Sequence, residues 1–294
     1  DPVKIGDAVT IDPILEARLR YEGVDQPATG ADAVTARLRA GFELKYAASR
    51  LSLLAEAEGT LAITDDYNAF PFPLPGSSQR RPAFSVVPDG ESIGLNRLQL
   101  QYKAQALTLT LGRQRINLDD QRFVGSVAWR QNEQTFDAAR AEATLGPVSL
   151  DATYAIQQNT VFGSEAGPRR AIDGDFVFLG ATAKLGPVTA KAFSYLIDYD
   201  EAFAFANASK TFGARVAGTF PLSKAVKLNV LASYARQSDL GRNPVDYSAD
   251  YLLGEAGLAA MGFTLTAGHE RLGADKGAGK AFQTPRAPLH KFNG

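Results

Sequence analysis

The chain has 294 residues, with Lys+Arg 31 against Asp+Glu 32, 45% hydrophobic residues and no cysteine. The balanced charge excludes a broadly basic nucleic-acid binder, and the apolar content excludes a disordered chain. Without cysteine there is no disulfide scaffold, thiolate zinc site or cysteine nucleophile, and the two histidines, His269 and His290, do not make a polyhistidine metal centre.

The sequence opens at Asp1 with no basic-then-apolar segment, and the expectation is a mature exported protein whose signal peptide has been removed. It has no run of 18 apolar residues, so a transmembrane helix is excluded and a membrane barrel is not. Alternation of apolar and polar residues starts early. Leu15, Ala17, Leu19 and Tyr21 form one face, and Glu16, Arg18, Arg20 and Glu22 the other. The same pattern runs from Ala36 to Lys45, with Arg37 and Arg39 on its polar side. Further runs cover 51–61, 95–102, 107–111, 136–144, 148–156, 176–184, 188–196, 211–220, 226–234, 251–258 and 263–269. Period-two alternation means strands with one apolar and one polar face. Thirteen such runs of about ten residues have the length a tilted membrane-spanning strand needs, whereas soluble strands average nearer five or six.

The connections alternate too. Short links lie at 47–49, 104–106, 145–147, 185–187, 222–224 and 260–262, and long polar ones at 24–32, 64–94, 117–134, 162–175, 198–209 and 237–249. The sequences Leu145-Gly146-Pro147-Val148 and Leu185-Gly186-Pro187-Val188 echo one another 40 residues apart, as two similar hairpins do. Strict short–long alternation predicts an all-β, antiparallel, up-and-down transmembrane β-barrel, a single domain over 1–294, with periplasmic turns and extracellular loops. Thirteen strands leave the last one pointing outward, while bacterial barrels have even strand numbers. A fourteenth strand over 280–294 is disfavoured by Pro285 and Pro288. The expectation is a chain that is part of a larger even-stranded barrel.

The polar faces carry Arg18, Arg20, Arg37, Arg39, Lys45, Arg97, Lys103, Arg140, Lys184, Arg215 and Lys227. They also carry Glu16, Glu22, Glu43, Glu56, Glu58, Glu142, Asp151 and Glu255. Two readings stay open: a lumen whose field favours anions, or a salt-bridged ladder that fills it. A second cluster, Arg113, Arg115, Asp119, Asp120, Arg122 and Arg130, surrounds a strand end and its long loop. It reads as a constriction folded into the lumen, as a salt-bridged cap, or, through Asp119-Asp120, as a hard-cation site without EF-hand spacing. The expected pore-lining set is therefore Arg18, Arg20, Arg37, Arg39, Arg97, Arg113, Arg115, Arg122, Arg130, Arg140 and Arg215. The 64–94 loop, with its run Phe70-Pro71-Phe72-Pro73-Leu74-Pro75, is either a lid over the mouth or a disordered loop. Tyr21, Phe42, Tyr46, Tyr102, Tyr154, Tyr195, Tyr199, Phe220, Tyr234 and Tyr251 near strand ends suit membrane-interface girdles. No hydrolase motif accompanies His269 and no phosphate loop is present, so neither an enzyme nor a cofactor is expected.

Three segments resemble the alginate-export family of outer-membrane proteins: Leu111-Gly112-Arg113-Gln114-Arg115-Ile116, Asp119-Asp120-Gln121-Arg122-Phe123-Val124-Gly125, and Trp129-Arg130-Gln131-Asn132-Glu133-Gln134-Thr135-Phe136-Asp137. Val87-Pro88-Asp89 and Leu95-Asn96-Arg97 are similar to the same group. The resemblance implies a monomeric β-barrel of the Gram-negative outer membrane, with more strands than are countable here. Its surroundings would be outer-membrane lipid and lipopolysaccharide, and its cargo an anionic small molecule or polysaccharide, the founding member having an arginine-rich pore. The chain's own ending, Lys291-Phe292-Asn293-Gly294, lacks the terminal aromatic expected of such a protein. Two functions follow as alternatives: a passive channel for anionic solutes, or a loop-plugged structural or surface-interaction barrel that carries no specific substrate.

Overall fold

The structure, a computed structural model, describes residues 2–6, 8–284, 286, 287 and 291. Pro285, Pro288, His290 and residues 292–294, on which part of the strand-count expectation rests, lie outside the described residues.

Each alternating segment forms a strand, because a period-two apolar stripe can be satisfied only on one face of a sheet. A short strand, β1 (Val3–Ile5), precedes thirteen longer ones: β2 (Val9–Asp25), β3 (Gly30–Tyr46), β4 (Leu51–Ala62), β5 (Ser92–Lys103), β6 (Leu107–Gln114), β7 (Thr135–Leu145), β8 (Val148–Asn159), β9 (Ala171–Leu185), β10 (Val188–Ile197), β11 (Ser209–Pro221), β12 (Val226–Asp239), β13 (Ser248–Ala260) and β14 (Phe263–Leu272). They form one antiparallel up-and-down sheet in the order β1 to β14, each hydrogen-bonded to its neighbours in sequence. A separate two-residue hairpin, β15 (Ala274–Asp275) and β16 (Lys280–Ala281), follows.

The turns after β3, β5, β7, β9, β11 and β13 are short and lie at one end, and 63–91, 115–134, 160–170, 198–208 and 240–247 gather at the other. One expected long loop is short. β2 and β3 pair along their whole length from Val9↔Tyr46 to Asp25↔Gly30, which leaves only 26–29 between them. The reason is that Asp25 and Gly30 extend the ladder beyond the last alternating apolar residue, which pattern alone does not reveal.

The outer face is apolar and open: Leu15 is 79% exposed, Leu19 72% and Leu265 78%. A wall of exposed leucines of this extent needs a hydrocarbon solvent. The inner face divides in two. Along β2–β5 it is charged. Along β7–β13 it is aromatic, with Phe136, Phe176, Phe178, Phe193, Tyr195, Tyr199 and Tyr251 buried around Phe123 and Phe282, which reach in from two separate segments. Tyr195, Tyr199 and Tyr251 therefore belong to the interior and not to an interface girdle. Tyr21, Tyr154 and Tyr234 do face outward, where their hydroxyls donate to Asp32, Asp175 and Asp250.

Candidate lumen constriction

β6 is the shortest of the long wall strands. At Gly112, with φ of 111°, a Cβ would lie 2.3 Å from the Leu98 carbonyl oxygen, so only glycine permits this close approach. Beyond Gln114 the chain leaves the wall, and the 115–134 segment crosses the interior before returning as β7. It holds three non-glycine residues in the left-handed region, Asp119, Gln121 and Val127. For β-branched Val127 this conformation costs on the order of 1–3 kcal/mol, tolerated only where the surroundings dictate it.

The surroundings are the charged wall. Arg18 faces Arg37 directly across β2 and β3, a like-charge pair that a sheet avoids unless each finds another partner. Arg37 turns to Glu16 and also reaches the Gln131 carbonyl. Arg18 donates to the carbonyls of Ala128, Trp129 and Arg130, the first at 3.1 Å, and so grips the segment through its backbone. Arg39 pairs with Glu58 and lies 3.4 Å from Glu133. The fully buried Glu133 carboxylate accepts from Arg115 at 2.5 Å and from Asn96 at 2.6 Å. Glu56 accepts both guanidinium arms of Arg97, at 2.9 and 2.7 Å. A β-bulge opposite Glu56 and Ala57 turns both Asn96 and Arg97 inward, so one strand supplies two successive partners.

The 63–91 connection joins this network. Asp89 is buried, pairs with Arg20, lies 3.8 Å from Arg130 and accepts from the Gln131 amide at 2.9 Å. Arg20 also stacks over Trp129, 3.8 Å from its ring centroid. Of the two readings of this loop, the ordered lid describes it. Phe70, Phe72, Tyr67 and Val87 pack with Ala31, Ala33 and Ala166, and Phe72 meets Phe162 edge-on at 4.9 Å. The Tyr67 hydroxyl donates to the Asp89 carbonyl, and burial, with Asp89 beside it, pushes its pKa far above the phenol value.

The remaining expected residues sit elsewhere. Arg140 bridges Glu142 and Asp151, which oppose each other across β7 and β8. Arg215 pairs with Asp120 at 2.8 Å, and Arg122 with Glu270 at 2.7 Å on the aromatic side. Asp119 is engaged by Lys191 at 2.8 Å, a lysine that the sequence reading did not single out although its alternation phase faces inward. Both acids of the Asp119-Asp120 pair thus have cationic side-chain partners, and among the described residues no cluster of three metal-ligating side chains occurs. Arg113 is not in the lumen. It pairs across strands with the outward Leu98 and with Asp137, to which it makes a bidentate bond at 2.7 and 2.8 Å on the outer face. The sequence placed it with its neighbours because it is adjacent to them along the chain, but strand phase sends it to the opposite side.

Around the segment, Arg18, Arg20, Arg37, Arg39, Arg97, Arg115 and Arg130 meet Glu16, Glu22, Glu56, Glu58, Asp89 and Glu133. The cluster has one more guanidinium than carboxylates. Arg18 is the arginine without a carboxylate among the described residues, its donors being spent on uncharged carbonyls.

The family model described as alginate export matches residues 15–240. A comparison with curated proteins finds no match. Among solved structures, the fold is similar to three Pseudomonas aeruginosa proteins. OpdL has 16% identity and a TM-score of 0.62, with 90% of this chain and 65% of that chain covered. OpdK, solved with vanillate, has 12% identity and a TM-score of 0.66, covering 90% and 66%. OccK2 (OpdF), solved in complex with glucuronate, has 12% identity and a TM-score of 0.62, covering 90% and 64%. The chain thus spans a little under two thirds of the length of OpdL.

Proposed function

This chain belongs to the alginate-export family of outer-membrane β-barrels, and on that premise we propose that it forms a channel for small anionic solutes of the carboxylate class. It is an outer-membrane protein and not an enzyme. The observation that carries the proposal is the guanidinium excess at the constriction, where Arg18 makes no ion pair with a carboxylate among the described residues. A fixed positive charge in a narrow aqueous passage lowers the barrier for anions and raises it for cations. The vanillate and glucuronate recorded with OpdK and OpdF are both carboxylates, which supports the same solute class here. Arg20, Arg37, Arg39, Arg97, Arg115 and Arg130 shape the passage by holding the 115–134 segment. Arg122, Arg140 and Arg215 stiffen the interior away from it. In this arrangement the short turns are periplasmic, the long connections extracellular, and the barrel works as a monomer. An anionic polysaccharide requires the same field and a wider opening.

The second reading, a barrel plugged by its own segments, is favoured by the aromatic half of the interior. There Phe123 and Phe282 fill the space between β9 and β13, with ring centroids 5.1 Å and 5.6 Å from Tyr251. Single-channel recording in planar bilayers separates the two. The channel reading expects discrete conductance steps and a reversal potential on the anion side under a salt gradient, moved towards the cation side by Arg18→Glu. A silent bilayer supports the plug.

A further inference from the structure

The outer face of β5–β9 carries a groove of about 470 Å³, floored by Ala139, Ala141 and Ala152 and walled by Leu100, Leu111 and Leu179. At its long-loop end lies a polar pocket of about 280 Å³ that cuts through the wall where β6 stops. The unpaired edge of β5 from Ser92 lines that pocket on one side, and Gln157, Asn159, Ser164 and Arg170 on the other. Groove and pocket adjoin: Leu111, which lines the groove, and Arg113, which lines the pocket, are successive outward residues of β6, and the shifted register of β8 places Gln157 outward above Tyr154.

We infer that the groove and the adjoining pocket together form a binding site for one acylated, anionic saccharide, the glycolipid class of the outer leaflet. The alanine floor makes a trough in a wall otherwise raised by leucines and tyrosines, so it accepts a chain of methylenes with contact on three sides. The pocket at its end is built from amides, hydroxyls and guanidinium groups, which suit sugar hydroxyls and a phosphate or carboxylate; its two carboxylates, Glu58 and Glu133, are held by Arg39 and Arg115. Arg113 is neutralised by Asp137, whereas the exposed Arg170 has no carboxylate among the described residues and supplies the charge for an anionic head. A free sugar leaves the groove empty. A phospholipid has too few hydroxyls for the pocket. The inference takes from the proposed function only that the long connections face outward, which sets the pocket in the glycolipid leaflet.

The test is native mass spectrometry of the full chain in detergent, offered purified lipopolysaccharide, phosphatidylglycerol or glucuronate. The expected result is one retained lipopolysaccharide, at least tenfold over phosphatidylglycerol, with no bound glucuronate. Ala141→Phe, which fills the groove, and the double change Asn159→Ala with Arg170→Ala should each lower occupancy about tenfold, while Leu265→Ala on β14 leaves it unchanged. Equal retention of phosphatidylglycerol, capture of glucuronate, or full retention by the pocket double variant overturns the inference. Conductance of the unsubstituted protein is recorded separately, so a silent channel counts against the channel reading alone.

Discussion

Glu133→Gln is the most informative single change, because that carboxylate ties the 115–134 segment to the wall. Its side chain is fully buried and holds Arg115, Arg39 and Asn96 together. Removing one partner of a buried ion pair costs about 3–5 kcal/mol when the other charge is stranded. Here neither arginine is stranded, since Arg39 keeps Glu58 and Glu16, and Arg115 lies 3.8 Å from Glu56. The cost should therefore fall near the lower end, about 3 kcal/mol, enough to loosen the segment without unfolding the barrel. The selectivity effect is separable. A unit charge acting on a permeating ion at about 8 Å through water is worth about 0.5 kcal/mol, with opposite sign for anion and cation. The anion-to-cation permeability ratio should then rise about fivefold. The assay is the reversal potential in a planar bilayer under a potassium chloride gradient, with single-channel conductance in the same record. A larger conductance with a shift towards anions is expected. An unchanged reversal potential, or a shift towards cations, refutes the charge accounting at the constriction.

Phe282→Ala should destabilise the aromatic half by about 3–5 kcal/mol, the usual cost of emptying a packed phenylalanine site, read as lower thermal stability with a raised open-state current. Val127→Gly should leave stability unchanged or higher, relieving left-handed strain of about 1–3 kcal/mol while adding chain entropy, and a marked loss of stability would show the valine side chain to matter more than its φ. Tyr247, raised to about 12 by burial, ionises in the unfolded chain from about pH 10 but not in the fold until about 12. Its contribution to stability should be complete below pH 10 and lost by pH 12, and Tyr247→Phe should flatten that part of a pH–stability curve. With no native cysteine to interfere, single cysteines at Ala48 and Ser78 report orientation: an impermeant maleimide on whole cells should label the second and miss the first.

How far the sequence carried the reading differs from element to element. The thirteen long strands were legible because each bears its own alternation, a signal complete within ten residues. The two faces of β2 and β3 were legible for the same reason, so Arg18, Arg37 and Arg39 were assigned inward from pattern alone. Their partners were not legible. That Arg18 grips carbonyls 128–130 depends on a contact about 110 residues away along the chain, and no local period encodes it. Arg113 shows the complementary failure. It stands beside Arg115 in sequence, yet the strand phase carries it outward to Asp137. The aromatic interior was misjudged for a related reason: Tyr195 and Tyr251 look like girdle residues by composition, and only the inward phase of β10 and β13 reveals that they pack on Phe123.

The shifted registers near the exit of β6 have a bearing on how this wall can be altered. On β5 two successive residues, Asn96 and Arg97, point inward, and on β8 two successive residues, Ile156 and Gln157, point outward. Each strand changes step there, so odd positions face lipid on one stretch and water on the next. Any scheme that assigns membrane contact by counting every second residue from a strand's end will be inverted across this line. A single-residue deletion at Asn96 or Ile156 removes the extra residue and restores a uniform step, with every other side chain of the strand keeping its face. A one-residue deletion in the regular stretch of either strand has no such slack: it makes one side of the cut exchange faces, and there it transposes the two solvents of the wall.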